Sequence, residues 1–282
     1  MAHVPFSSIE ISSVVFLIIF AILFIPSVFV WISYIRAGYP WRYGFWGATI
    51  LCASRLACFI SELVFYSGNY TDRGAVIAYI VTLSIGFIGL LECESALFVT
   101  WAETHIDFNP TQQQIHGKIR LLNIVAMILV IYGSTNTDSS GNTSGTALAC
   151  IQAGTILFLL LTIIHSLYVA YGWSQWRRTS RTLGVLSLVI ACLYVRIIFG
   201  VYATFHRSVS MIHFSTANVK YLVGAELVPE TIALILMIML GFINVRSESF
   251  KAKRAARNSG EAYQVENLES RKHGQVDGYT RS

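Results

Sequence analysis

The sequence predicts an all-α bundle of seven transmembrane helices, with the N-terminus lumenal or extracellular and the C-terminus cytosolic. Three observations predict it. Of the 282 residues, 55% are hydrophobic and only 12% charged, where a soluble domain carries roughly a quarter charged. Seven apolar segments are each long enough to cross a hydrocarbon core of about 30 Å, which takes roughly 20 helical residues. Lys and Arg gather on one side of those segments, as cytosolic retention of positive charge requires.

The segments run at 11–34, 45–66, 74–100, 119–135, 147–172, 183–205 and 220–245. The first is too long for a signal-peptide core, and residues 1–10 carry no Lys or Arg, so it is expected to remain in the mature protein. Residues 1–10 then form a lumenal arm, 11–245 the membrane domain, and 246–282 a basic cytosolic tail. From Asn258 onward the tail is polar and mixed in charge, too poor in aliphatics to offset ordering, and is expected to be disordered.

Orientation follows from the basic residues. The arm and the connections at 67–73, 136–146 and 206–219, with the start of the last span, hold only Arg73, Arg207 and Lys220, while the other side holds fifteen. Two further features agree. The glycosylation sequons at Asn69 and Asn142 both fall on the lumenal side, where glycans are added. All six tryptophans fall at cytosolic ends of spans, as interfacial anchors there would.

Several function classes are set aside at this level. The net charge of +5 sits beside helix ends rather than on a soluble face, so nucleic acid is not an expected partner. No Walker loop, Gly-rich dinucleotide turn, His-Glu-x-x-His or paired zinc-spaced cysteines occur, so neither metal nor cofactor is expected. The five cysteines lie inside apolar segments and read as small buried hydrophobes.

Chemistry is expected where charge enters the membrane, since an ionisable group at bilayer depth is costly and marks function by default. Arg55 and Glu62 stand on the second span, Glu92 and Glu94 on the third, Arg196 on the sixth, and Glu226 and Glu230 on the seventh. Arg55 and Glu62 are two helical turns apart and share a face, as do Glu226 and Glu230 at one turn. At about 1.5 Å per residue, Arg55, Arg196 and Glu230 come out near the midplane, with Glu62 and Glu226 on its lumenal side. They are expected to line one pocket. Two carboxyls a turn apart in a low dielectric do not both ionise unless an arginine reaches them, which makes a neutral acid available. Pro229 removes a backbone donor and is expected to kink the last span beside them. Glu92 and Glu94 point to nearly opposite faces, so Glu94 is expected to pair or snorkel. His165 reads as a hydrogen-bonding core residue. Phe59, Phe65, Tyr194, Phe199, Tyr202 and Phe205 are candidates to present aromatic faces, although packing alone accounts for aromatics in apolar helices.

Short motifs carry two resemblances. Ala53-Ser54-Arg55-Leu56, Ile85-Gly86-Phe87-Ile88-Gly89-Leu90, Val195-Arg196-Ile197-Ile198-Phe199-Gly200-Val201-Tyr202 and Pro229-Glu230 resemble an uncharacterised family of fungal seven-helix membrane proteins. In size and helix number the chain also looks similar to small fungal membrane-bound terpene cyclases of meroterpenoid pathways. Those carry one essential acid late in helix two and another in the last helix, where Glu62 and Glu230, or Glu226, stand here. Their helix-two acid is flanked by aromatics, whereas Ser61 and Leu63 flank Glu62.

That second resemblance implies a cofactor-free enzyme of the endoplasmic reticulum or another endomembrane, acting on a prenylated, lipophilic small molecule. Glu62 and Glu230 would be the acid and its partner, with Arg55 and Arg196 organising the site and Glu92 and Tyr202 supporting it. Two other classes fit the topology: a receptor, and a proton-coupled transporter. Trp101-Ala102-Glu103 stands where a receptor would carry an Asp-Arg-Tyr-like triplet. Internal repetition, the usual sign of a transporter, is not evident.

Overall fold

The computed structural model describes residues 8–37, 45–67, 73–105, 110–136, 145–175, 180–206, 222–247, 251 and 255. Most of the expected arm, most of the tail, and Asn69 and Asn142 lie outside the described residues, while Ser8, Ile9 and Glu10 of the arm begin the first helix. Among those described, the architecture is all-helical, and seven helices are long and apolar enough to cross a membrane.

These are α1 (Ser8–Arg36), α2 (Trp46–Ser67), α3 (Arg73–His105), α4 (Pro110–Thr135), α5 (Gly145–Gln175), α6 (Arg181–Phe205) and α7 (Val228–Arg246), the last preceded by a wider π-helical turn at Leu222–Leu227. Six agree with the expected spans to within a few residues, the last once its π turn is counted with it. α4 differs, beginning at Pro110 rather than at 119. Proline fits the first helical turn because its missing N–H is unneeded there, and the glutamines that follow favour helix, so the element outruns its apolar stretch. At α6, Ser180 is the N-cap, its hydroxyl accepting from the Leu183 amide at 3.4 Å.

The kink expected at Pro229 takes a specific form. Pro229 has no N–H to give the carbonyl one turn back, and the chain widens to i→i+5 spacing immediately before it. Single π turns of this kind recur at functional sites. Glu226 lies on this turn and Glu230 on the first turn of α7.

The helices pack in chain order into a ring, with α7 returning against α1, and α3 at its centre touching α2, α4, α5, α6 and α7. Every residue from Gly86 to Ala102 is buried. α1 is the opposite case, with Ile11, Ile18, Ile22, Ile25 and Phe29 facing outward. Such an exterior suits hydrocarbon rather than water.

Small residues set the closest approaches, as they do where helices meet without a hydrophobic drive between them. A Cβ on Gly89 would lie 2.6 Å from the Gly47 carbonyl, and one on Gly154 would lie 2.8 Å from the Ala126 carbonyl. The first pair joins α2 to α3 and the second joins α4 to α5. Trp101, expected as an interfacial anchor, is instead 3% exposed and tilted against Phe98, 5.9 Å between ring centres. Gly172 makes room for its ring.

Candidate functional site

Charge inside the bundle is gathered where α2, α3, α6 and α7 meet. Arg55 is fully buried and grips Glu230 with two hydrogen bonds, Nε to Oε1 at 2.8 Å and Nη2 to Oε2 at 2.7 Å. This two-pronged geometry matches the flat guanidinium to the flat carboxylate and gives the strongest kind of ion pair. Arg196, one helix over, pairs with Glu226 and places its Nε 3.8 Å from Glu230 Oε2. The π turn and the first turn of α7 thus present two carboxylates to two arginines from opposite sides.

Gly86 on α3 makes the arrangement possible. A Cβ there would lie 2.9 Å from Cζ and Nη2 of Arg55, so the guanidinium lies flat where a side chain would stand. The adjacent residue, Phe87, puts its ring 5.9 Å from the Arg196 guanidinium carbon, within cation–π range.

Glu62 is treated differently. It is 1% exposed, Ser13 of α1 donates to its Oε2 at 2.7 Å, and Oε1 has no hydrogen-bond partner among the described residues. No Lys or Arg forms an ion pair with it there, although it lies within electrostatic reach of Glu226. Phe59, one turn below it on α2, stacks on Phe16 at 6.2 Å and tilts against Phe20 at 6.0 Å. Cys58, whose thiol donates to the Tyr79 carbonyl at 3.8 Å, completes this neighbourhood.

Arg55, Arg196, Glu226 and Glu230 thus come together as one ion-paired cluster, with Glu62 beside them. Glu92 and Tyr202 do not join them. Glu92 faces α4, where Arg120 Nε donates to it at 2.5 Å and Asn123 Nδ2 at 3.2 Å. The opposed faces of Glu92 and Glu94 send the two acids to different helices, and Glu94 pairs with His165 of α5. Tyr202 is 50% exposed and stacks on His206 at 4.3 Å, because its position on α6 points away from α7. Phe205 is exposed, and Tyr194 meets the Ser166 hydroxyl at 3.0 Å. Of the candidate aromatics, Phe59 and Phe65 flank Glu62 one turn away on α2.

Ser13 and Gly86 are the residues that sequence reasoning missed. A serine in an apolar helix carries no partner label, but glycines in an apolar span do signal a close approach to a neighbouring helix. Among the described residues no three His, Cys, Asp or Glu side chains gather as metal ligands would.

No curated protein and no solved structure matches the chain significantly. The model of one family, described as a domain of unknown function (DUF7702), matches residues 7–247. That range spans all seven helices and both arginine–glutamate pairs, and the chain belongs to this DUF7702 family.

Proposed function

We propose that the chain is a membrane-embedded enzyme in which Glu62 protonates a lipid-soluble, prenylated substrate and so starts its cyclisation. One observation carries this reading: Glu62 is a buried carboxyl beside the charged cluster, and among the described residues no arginine forms an ion pair with it. The guanidinium groups of Arg55 and Arg196 are both committed to Glu226 and Glu230. An unpaired carboxylate in an apolar interior is costly enough that such groups hold their proton instead. Glu62 is then the general acid, and Glu230, gripped by Arg55, is a counter-ion rather than a second acid.

The chemistry balances without a cofactor. The Glu62 proton passes to an alkene carbon or an epoxide oxygen, and the electron pair of the alkene or of the breaking C–O bond leaves a carbocation at the neighbouring carbon. Ring closure moves that cation along the prenyl chain. Loss of a proton from the final cation restores the acid, so substrate and product are isomers. Phe16, Phe20 and Phe59 would present ring faces to the cation. The resemblance to fungal meroterpenoid cyclases supports the substrate class, and an endoplasmic reticulum location belongs to the same reading.

The test is expression in yeast, with microsomes given farnesylated phenols and their terminal epoxides, and mass spectrometry for isomeric products. Glu62→Gln should lower product by at least about 100-fold, the usual scale of general-acid catalysis, at unchanged protein level. Full turnover by that variant would overturn the assignment. The reach from Glu62 to Glu226 favours a second reading, a proton-coupled carrier. Proton-dependent substrate uptake by reconstituted vesicles, without a new product, would decide for it.

A further inference from the structure

A second buried acid–base pair lies apart from that cluster. Glu94 is eight residues past Gly86, which at the helical rise puts it about 12 Å further along α3 from the Arg55 guanidinium. It is 1% exposed and His165 is 2% exposed, and Glu94 Oε2 meets His165 Nδ1. Their other polar atoms, Glu94 Oε1 and His165 Nε2, are buried and have no hydrogen-bond partner among the described residues.

A carboxylate on one ring nitrogen fixes the imidazole's orientation and defines the task left to the other nitrogen. The pair thus offers two uncommitted polar atoms in an apolar interior. Aromatic rings stand beside them: Phe98, one turn from Glu94, lies 5.7 Å from Tyr168, which is nearly a turn from His165, and 5.9 Å from Trp101.

We propose that Glu94 and His165 form a binding site for the hydroxyl group of a lipophilic phenol or alcohol. A hydroxyl both donates and accepts. It suits neutral imidazole by donating to Nε2, and it suits imidazolium by accepting from Nε2. An ammonium group has no lone pair to offer the charged ring, and any ion would lose its hydration on entry. The aromatic side chains receive the ligand's apolar body, and entry from the bilayer rather than from water fits the burial of both residues. This site does not depend on the chemistry assigned to Glu62.

The experiment uses the full chain in lipid nanodiscs with isotope-labelled histidine, and compares para-octylphenol with its methyl ether by nuclear magnetic resonance. The His165 ring-nitrogen signals, identified from whichever of His165→Gln and His165→Asn folds, should shift saturably with the phenol and stay in place with the ether. Glu94→Gln should weaken phenol binding at least about tenfold, as loss of a charged hydrogen-bond partner does. Signals unmoved by the phenol, or moved equally by the ether, would overturn the proposal. That comparison is made on the unaltered chain, so it stands even where a variant misfolds, and it requires no turnover at Glu62.

Discussion

Arg55 has no exposed surface and two hydrogen bonds to a single carboxylate, so its partner can be removed only at a large cost. Breaking a buried pair on one side costs about 3–5 kcal/mol, mostly from stranding the other charge, whereas replacing both groups with apolar ones of similar size is often neutral. Arg55→Leu and Glu230→Leu should each sharply lower the unfolding temperature in detergent. The double variant should recover much of the loss, with Arg196 still holding Glu226. At this scale the sequence was informative about charge and poor about partners. Helical spacing put Arg55 with Glu62 and Glu226 with Glu230, since it reports which residues share a face. It could not say that Arg55 passes over Glu62 to reach Glu230, a choice made by how α2 and α7 cross. Nor could it attach Ser13 to Glu62, because a lone serine in an apolar helix is chemically silent until a neighbour is known.

Among the elements, glycine separates the tight helix pairs from the loose ones. At Gly154 a Cβ would meet the Ala126 carbonyl and Val130 of α4, while at Gly184 it would meet nothing within 4 Å. Gly154→Ala should therefore destabilise the α4–α5 pair, and Gly184→Ala should be neutral or stabilising by up to about 1 kcal/mol, the helix preference of alanine over glycine. Thermal unfolding of the two variants side by side checks this. Gly86→Val should act like a loss of Arg55, because it displaces the guanidinium rather than the backbone. The spans were legible from apolar length alone, since a bilayer sets that length. The early start of α4 was not, because its first turns are polar and helix propensity there is independent of hydropathy. The π turn was half legible: Pro229 announced a disturbance, but not that it would widen the turn carrying Glu226.

For the whole molecule, the contacts of α3 with α2, α4, α5, α6 and α7 follow from packing, while the side from which the bundle is viewed rests on the distribution of Lys and Arg. If the N-terminus is lumenal, Asn142 and Asn69 are open to glycan transfer, and the chain should lose mass on endoglycosidase treatment. Replacing both asparagines with glutamine should abolish that change. A chain with no glycan, whose C-terminus is protected from protease in intact microsomes, would reverse the orientation. Seven helices and their order were readable because each satisfies its own backbone in lipid. The central place of α3 was not readable, because its composition resembles that of its neighbours.

That central place imposes two different rules on how this family can change over time. Along the outward face of α1, where Ile11, Ile18, Ile22, Ile25 and Phe29 stand exposed, one apolar residue can replace another with little consequence, and drift there is limited only by greasiness. From Gly86 to Ala102 every side chain has protein on all sides, and interiors packed this densely register even a single methylene. Substitutions on α3 should therefore survive mainly when size is kept, and often only alongside a compensating change on a facing helix. Relatives of this chain should diverge fastest on the outward face of their first helix and slowest on their third.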